Sequence, residues 1–249
     1  MFDLILLFFV GIGVSCINVV AGGGSLISLP VLIFLGVPPV IANASNRLGI
    51  VMQNVFAVYG FHQKGVSLFK FSTPLALSGL VGAVLGARIA INIPEQVFKT
   101  ILAGVMILIS LIMLLDPIRK SNIFNQRIEG RYWFLSTVIY FFIGIYAGFI
   151  QAGVGLLSIA TNVLVNRLDL VRSNCVKVTV ALVYATASVL VFAYFDLIWW
   201  SYGLSLGCGT AMGGWFMSRF SISKGHEWVK KCILFAIFLM AIRLFFISV

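Results

Sequence analysis

Eight stretches of this chain are long and apolar enough to cross a lipid bilayer, and they follow one another with little between them. They are Leu4–Val20, Pro38–Gly60, Phe71–Asn92, Val97–Leu115, Tyr132–Ile150, Val171–Phe195, Leu197–Met217 and Val229–Val249. Each runs to about 17–25 residues, the length that spans a hydrocarbon core as a helix. In lipid every backbone N–H and C=O must find its partner within the protein. The requirement selects an all-α polytopic membrane protein. Composition agrees: 61% of the residues are hydrophobic and 10% are charged, against about 25% charged in a soluble domain. Two further apolar runs, Leu26–Gly36 and Leu156–Asn166, are about half that length. They are expected to be half-length or re-entrant helices.

The formal charge of +10 does not indicate nucleic acid, because the Lys and Arg residues sit mostly in short loops. That placement is what orientation by cytoplasmic cations produces. The expected partner is membrane lipid, with no nucleic acid, and a homodimer is compatible with such a chain. Cys16, Cys175, Cys208 and Cys232 lie in apolar spans without a CxxC pair, so packing is expected rather than a disulfide or metal site. The start, "MFDLILLFFVGIGVSC", lacks the basic leader of a signal peptide and reads as a first span that is kept. The expected location is the bacterial cytoplasmic (inner) membrane.

The longest polar loop, Asp116–Gly130, falls near the midpoint and invites a comparison of the two sides. Gly11 aligns with Gly144 at an offset of 133, and Gly36 with Asn166 at 130. At that second offset Asn43 meets Ser173, Ser45 meets Cys175 and Arg47 meets Lys177. Gly82 and Gly86 then meet Gly209 and Gly213 at 127. The chain reads as a first transmembrane repeat over 1–115, a cytoplasmic linker loop over 116–131 and a second transmembrane repeat over 132–249. The cationic loops change places between the copies. Lys64 and Lys70 follow the third segment of the first copy, whereas Arg167 and Arg172 precede its counterpart. An odd number of crossings per repeat puts nearly all loop cations on one face, so the positive-inside rule favours inverted topology. Inverted repeats recur in secondary transporters, with the substrate near the midplane at broken helices.

Between the first long segment and its short successor stands "VVAGGGSLISLP", with Gly22, Gly23 and Gly24 before Ser25. The long and short segments either both cross or both dip in and return. In each case the glycines are non-helical backbone that must be buried or line a cavity. Ser25 is expected to cap the short helix, whose N-terminus would favour an anion. The second copy of this arrangement is "QAGVGLLS", with Gln151, Gly153 and Gly155.

These paired segments, with "AGGGSLISLP", "LGVPPVIANASN", "GIYAGFIQAGVGLL" and "VRSNCVKVT", resemble the sulfite exporter TauE/SafE family over essentially the whole chain. The second copy departs from the pattern, with Ala160 and Thr161 where the first has Pro30. The resemblance implies a polytopic transporter of sulfur oxyanions, organosulfonates or other small organic anions.

The ionisable residues point to an anion independently. All seven acids stand at span ends or in loops. Arg47 lies about nine residues into its span, near mid-depth at 1.5 Å per residue, and Lys177 takes the matching place. Intramembrane charges usually face a cavity or a partner. The alternative is that both cations snorkel or bind backbone carbonyls at broken helix ends. Asn43, Asn46 and Asn174 cluster near the breaks and join the candidate ligands. The glycine stripes Gly79, Gly82, Gly86 and Gly203, Gly207, Gly213 are expected to serve close helix packing. Trp133, Trp199, Trp200 and Trp228 are expected to be interfacial anchors.

No GxxxxGK[ST] loop, HExxH or paired intramembrane acid is present, so neither a pump nor an enzyme is expected, and no cofactor or metal. The expected function is a secondary carrier of a small inorganic or organic anion. It would be held by Gly22, Gly23, Gly24, Ser25, Asn43, Asn46, Arg47, Gln151, Gly153, Gly155, Asn174 and Lys177, with one repeat rocking against the other. An anion channel or uniporter with the same site is the alternative.

Overall fold

The computed structural model describes residues 1–115 and 126–220. The predicted last segment, Val229–Val249, lies outside the described residues, as do Cys232, Trp228 and residues 116–125 of the linker. The described residues form nine helices and no strand: α1 (Phe2–Ala21), α2 (Ser25–Phe34), α3 (Pro39–Gln63), α4 (Phe69–Ile91), α5 (Glu95–Leu115), α6 (Gly130–Phe149), α7 (Val154–Leu164), α8 (Leu170–Tyr194) and α9 (Trp200–Phe220). Seven are long, and five of these are apolar enough to count as membrane spans: α1, α4, α5, α6 and α8. Seven of the eight expected long segments fall on described helices, and the eighth lies outside the described residues. α3 is as long as α8 but carries Asn43, Ser45, Asn46, Arg47, Gln53 and Asn54, all buried. α3 turns these residues inward and exposes Val55, Phe56 and Tyr59 on its other face.

Local chemistry sets the helix ends. Pro39 opens α3 at its first turn, where a missing N–H costs nothing. Asp169 caps α8 by accepting the Arg172 N–H at 2.9 Å. α1 ends on left-handed Gly22, whose N–H donates to the Asn18 carbonyl at 2.9 Å. Ser25 does not cap α2 as expected. Gly24 occupies the cap position, and the Ser25 hydroxyl donates instead to the Gln151 carbonyl at 2.9 Å.

Positive φ recurs at Gly22, Gly36 and Gly65, and again 131 positions on at Gly153, Arg167 and Asp196. α3 and α8 each have 25 residues and keep the same spacing. This register is one residue away from the sequence alignment at 130. Asn43 falls level with Asn174, and Lys177 with Asn46 rather than Arg47. Turn geometry sets the register here, and the two cations occupy neighbouring positions on it.

Contacts between helices fix their directions. Along α4 and α6 the partners rise together: the Ser78 hydroxyl donates to the Thr137 carbonyl at 2.7 Å, Gly82 lies against Phe141 and Ile145, and Gly86 against Ile145 and Phe149. These two helices are parallel. α1 and α9 are parallel in the same way, through Ser205 on the Leu4 carbonyl, Gly209 on Phe8 and Gly213 on Ile12. α3 also runs with α9, from Ser45 beside Gly203 to Gly60 beside Ser218. α3 and α8 are antiparallel: Ala44 and Leu48 share a cluster with Phe192, and Ala57 and Phe61 share one with Cys175 and Val178. The small-residue stripes let these backbones touch.

Each short helix turns back along its predecessor. Gly24 abuts Val14 and Asn18 near the end of α1, whereas Leu32 near the end of α2 joins Leu7 near the start of α1. In α6–α7, Tyr140 donates to Asn162 at 3.1 Å and Ser136 to Asn166 at 2.8 Å. Two bundles result. α1 and α3 pack on α9, whereas α6 and α8 pack on α4, and α3 meets α8 where the bundles join.

Candidate substrate site

The first break and the start of α7, just past the second break, meet inside the protein. A side chain at Gly22 would overlap the backbone of Gly155, and one at Gly155 would overlap Gly22. The Ser25–Gln151 hydrogen bond ties the same two segments. Beside them lies a cavity lined by Asn18 and Ser25 from the first break and by Gln151 and Gly155 from the second. Ile50 and Asn54 of α3, with Lys177, Ala181 and Tyr184 of α8, complete its wall. Its volume, about 10 Å³, is at the lower limit of what admits one water molecule.

Both intramembrane cations hold backbone carbonyls. Arg47 is fully buried. Its Nη1 donates to the Ala147 carbonyl at 2.7 Å and to Gln151 Oε1 at 3.2 Å, and Nη2 donates to the Gly148 carbonyl at 2.6 Å. The guanidinium also lies 4.9 Å from the Phe192 ring centroid. Lys177 Nζ donates to the Asn18 and Val19 carbonyls at 2.7 and 3.1 Å and to Asn174 Oδ1 at 2.8 Å. Carbonyls in the last turn of a helix are short of intrahelical partners and carry the negative end of its dipole, although the Asn18 carbonyl also accepts the Gly22 N–H. Each cation therefore caps a broken helix that belongs to the opposite bundle. The Asn43 amide adds a bond to the Phe149 carbonyl at 2.9 Å.

No described acid reaches this region. Asp3 and Glu95 stand in first turns, Glu129 and Asp169 at N-caps, and Asp196 in the loop after α8. Several buried donors nearby have no hydrogen-bond partner: Asn46 Nδ2, Arg47 Nε, Gln53 Nε2 and Asn54 Nδ2. Buried polar groups are normally paired, and that of Asn54 is on the cavity wall.

The sequence-predicted residues therefore divide. Ser25, Gln151, Gly155 and Lys177 line the cavity, and Asn174 holds Lys177. Gly22 forms the contact between the breaks. Gly23 is buried within the first break, and the Gly24 N–H is taken by Asn18 Oδ1 at 3.4 Å. Gly153 is a left-handed turn against Ile109 of α5. Asn43, Asn46 and Arg47 are buried but off the cavity wall. Tyr184 was missed, although it lies two turns beyond Lys177 on the same face of α8. Asn54 stands in the same relation to Arg47 on α3.

Long apolar helices around two buried helix breaks and a polar cavity make a polytopic membrane protein, and its relatives make it a membrane transporter. The family described as Sulfite exporter TauE/SafE matches residues 7–244, and the chain belongs to that family. "Probable membrane transporter protein ORF9" of Sinorhizobium sp. is 28% identical over 228 residues, 92% of this chain and 87% of its own. "Probable membrane transporter protein YfcA" of Escherichia coli K12 is 27% identical over 246 residues, 97% of this chain and 89% of its own. A "Probable membrane transporter protein" of Haemophilus influenzae is 24% identical over 241 residues, with 97% and 94% covered. No solved structure matches.

Proposed function

We propose that the chain is a secondary transporter, in the bacterial cytoplasmic membrane, for a small anion such as sulfite, thiosulfate or an organosulfonate. One observation carries the reading: the cavity at the joined breaks has a lysine and an unpaired amide donor on its wall and no carboxylate among the described residues. Positive charge and free donors held in a low-dielectric interior favour an anionic ligand.

Two inverted halves fit the helix directions. α3 and α4 are joined by a short loop, so as successive crossings they oppose one another. α6 runs with α4, and α1 runs with α9 and α3. Each of α1 to α4 then opposes its counterpart among α6 to α9, with α1–α2 and α6–α7 as hairpins that dip in and return. One face would carry Lys64, Lys70, Arg127, Arg131, Arg167, Arg172 and Arg219, against Arg88 and Lys99 on the other, as the positive-inside rule asks. The bodies that rock are not the sequence halves, because each bundle takes helices from both. The cavity lies between the bundles and has room for no more than about one water, which favours a carrier over a wide pore.

The test is flux in proteoliposomes. Saturable, counterflow-capable uptake of labelled sulfite or thiosulfate is expected, and Lys177→Gln should lower it. Ohmic current without saturation would establish the channel alternative. Cysteines at Ser67 and Ser201 should label from opposite faces, and labelling from one face would rule out the inverted arrangement.

A further inference from the structure

The two cations do not occupy the same place relative to the cavity. On α3, Arg47 comes before the lining residues Ile50 and Asn54; on α8, Lys177 comes before Ala181 and Tyr184. Because α3 and α8 are antiparallel, Arg47 lies toward one end of the cavity and Lys177 toward the other. Each crosses the seam between the bundles. Arg47 leaves α3 for the end of α6, and Lys177 leaves α8 for the end of α1. Each is also backed by an apolar cluster at its own level. Ala44, Leu48, Phe192 and Ile198 close the Arg47 side, and Val19, Ala57, Phe61, Cys175 and Val178 close the Lys177 side.

We propose that Arg47 and Lys177 are the straps of two gates, one at each end of the cavity, rather than a matched pair of anion ligands. In the transport cycle proposed above, which this inference presupposes, the gates open in turn and the structure has both closed. The straps differ in strength. The Arg47 fork grips two carbonyls and Gln151 Oε1, is flanked by the Asn43 bond to the same helix end, and stacks on Phe192. A planar guanidinium is suited to such multiple bonding, whereas an ammonium is a point charge with rotatable donors. Lys177 is on the cavity wall, so an arriving anion competes directly with the Asn18 and Val19 carbonyls for its protons. The Lys177 gate, on the side of Lys64 and Arg172, is the one that opens more readily and responds to the anion.

Cys175, buried in the cluster behind Lys177, reports on that gate in protein lacking Cys16, Cys208 and Cys232. Ala44→Cys, with Ile198→Cys as a second reporter, reports on the other in a background also lacking Cys175. Labelling with N-ethylmaleimide is followed without added anion. Lys177→Met should speed Cys175 labelling at least about tenfold, because thiol reaction follows access of the thiolate, and should leave the Arg47-side reporters slow. Arg47→Met should do the reverse, and Lys177→Arg should restore the slow rate at Cys175. Equal acceleration of reporters on both sides, or no acceleration at Cys175 in Lys177→Met, overturns the proposal. If Arg47→Met does not fold, the Lys177→Met comparison decides alone. The readout needs no substrate, so absent flux with the expected labelling pattern locates the failure in the transport reading, whereas intact flux with equal acceleration on both sides locates it in the gates.

Discussion

The hairpins α1–α2 and α6–α7 have the same shape and are held by different chemistry. The outer part of α1–α2 is closed by apolar packing, with Leu7, Leu32, Val37, Ala42 and Leu206 in one cluster. The corresponding part of α6–α7 is closed by polar bonds: Tyr140 to Asn162, Asn162 to the Ser173 carbonyl, Ser136 to Asn166, and Asn166 to the Arg127 carbonyl. Apolar contacts are non-directional and tolerate sliding. A satisfied hydrogen-bond network specifies one geometry and is costly to break in part. The first hairpin is thereby the adaptable one and the second the fixed one.

The glycines at the breaks sharpen that contrast most. Gly22 has φ 75°, and its added side chain would strike the Gly155 backbone, which cannot yield. Gly153 has nearly the same φ, 74°, but its nearest neighbour is the side chain of Ile109. Gly22→Ala is expected to abolish recovery of folded, monodisperse protein. Gly153→Ala should survive with a loss of about 1–2 kcal/mol, the cost of a left-handed L-residue, once Ile109 shifts. Size-exclusion profiles and thermal melting in detergent check both. Equal tolerance would mean that the breaks are not in contact.

Substitution of the two cations tests the contrast at the next level. An orphaned buried acceptor costs about 1–3 kcal/mol. Arg47→Gln orphans the Ala147 and Gly148 carbonyls away from the cavity wall, whereas after Lys177→Gln the Asn18 carbonyl keeps the Gly22 N–H and its residue lines the cavity, where a water can reach it. Arg47→Gln is expected to lower melting temperature clearly more than Lys177→Gln. The opposite order would place the tighter closure on the Lys177 side.

What could be read in the sequence was whatever depends on near neighbours. Helix extents follow from apolar length, and the breaks from Gly22–Gly24 and Gly153–Gly155, because no regular helix accommodates a left-handed residue. Arg47 and Lys177 stood out as buried cations, but their partners are carbonyls one hundred and more positions away. Carbonyls are present at every residue and leave no compositional trace. The same holds for Ser25, where local rules favour a helix cap and the fold instead supplies the Gln151 carbonyl. Tyr184 reads as one more aromatic in an apolar span until α3 is placed across from it.

The polar closure of α6–α7 can be broken at one point. Asn162→Leu removes the acceptor of the Tyr140 hydroxyl and the donor to the Ser173 carbonyl, and is expected to cost about 1–3 kcal/mol. Val31 lies 131 positions earlier and is only half-buried, so the added methylene of Val31→Leu can turn outward and should cost less than about 1.5 kcal/mol. Thermal melting of the two variants measures the difference. Near-equal losses would show that the polar bonds add nothing over apolar packing.

The smallest effect tests the equivalence against which the hairpins differ. Ser78 on the Thr137 carbonyl and Ser205 on the Leu4 carbonyl are the same contact in the proposed repeat, each joining the fourth helix of its half to a hairpin helix of the other half. A hydroxyl–carbonyl bond between membrane helices is worth about 0.6 kcal/mol on average. Ser78→Ala and Ser205→Ala should each lose about that much. The double variant should lose the sum, because sites far apart are additive within about 0.5 kcal/mol. The flanking glycines hold the backbones together without the serines, so neither variant should alter flux. A much larger loss at one serine would show that the two bundle interfaces, and not only the two hairpins, have diverged.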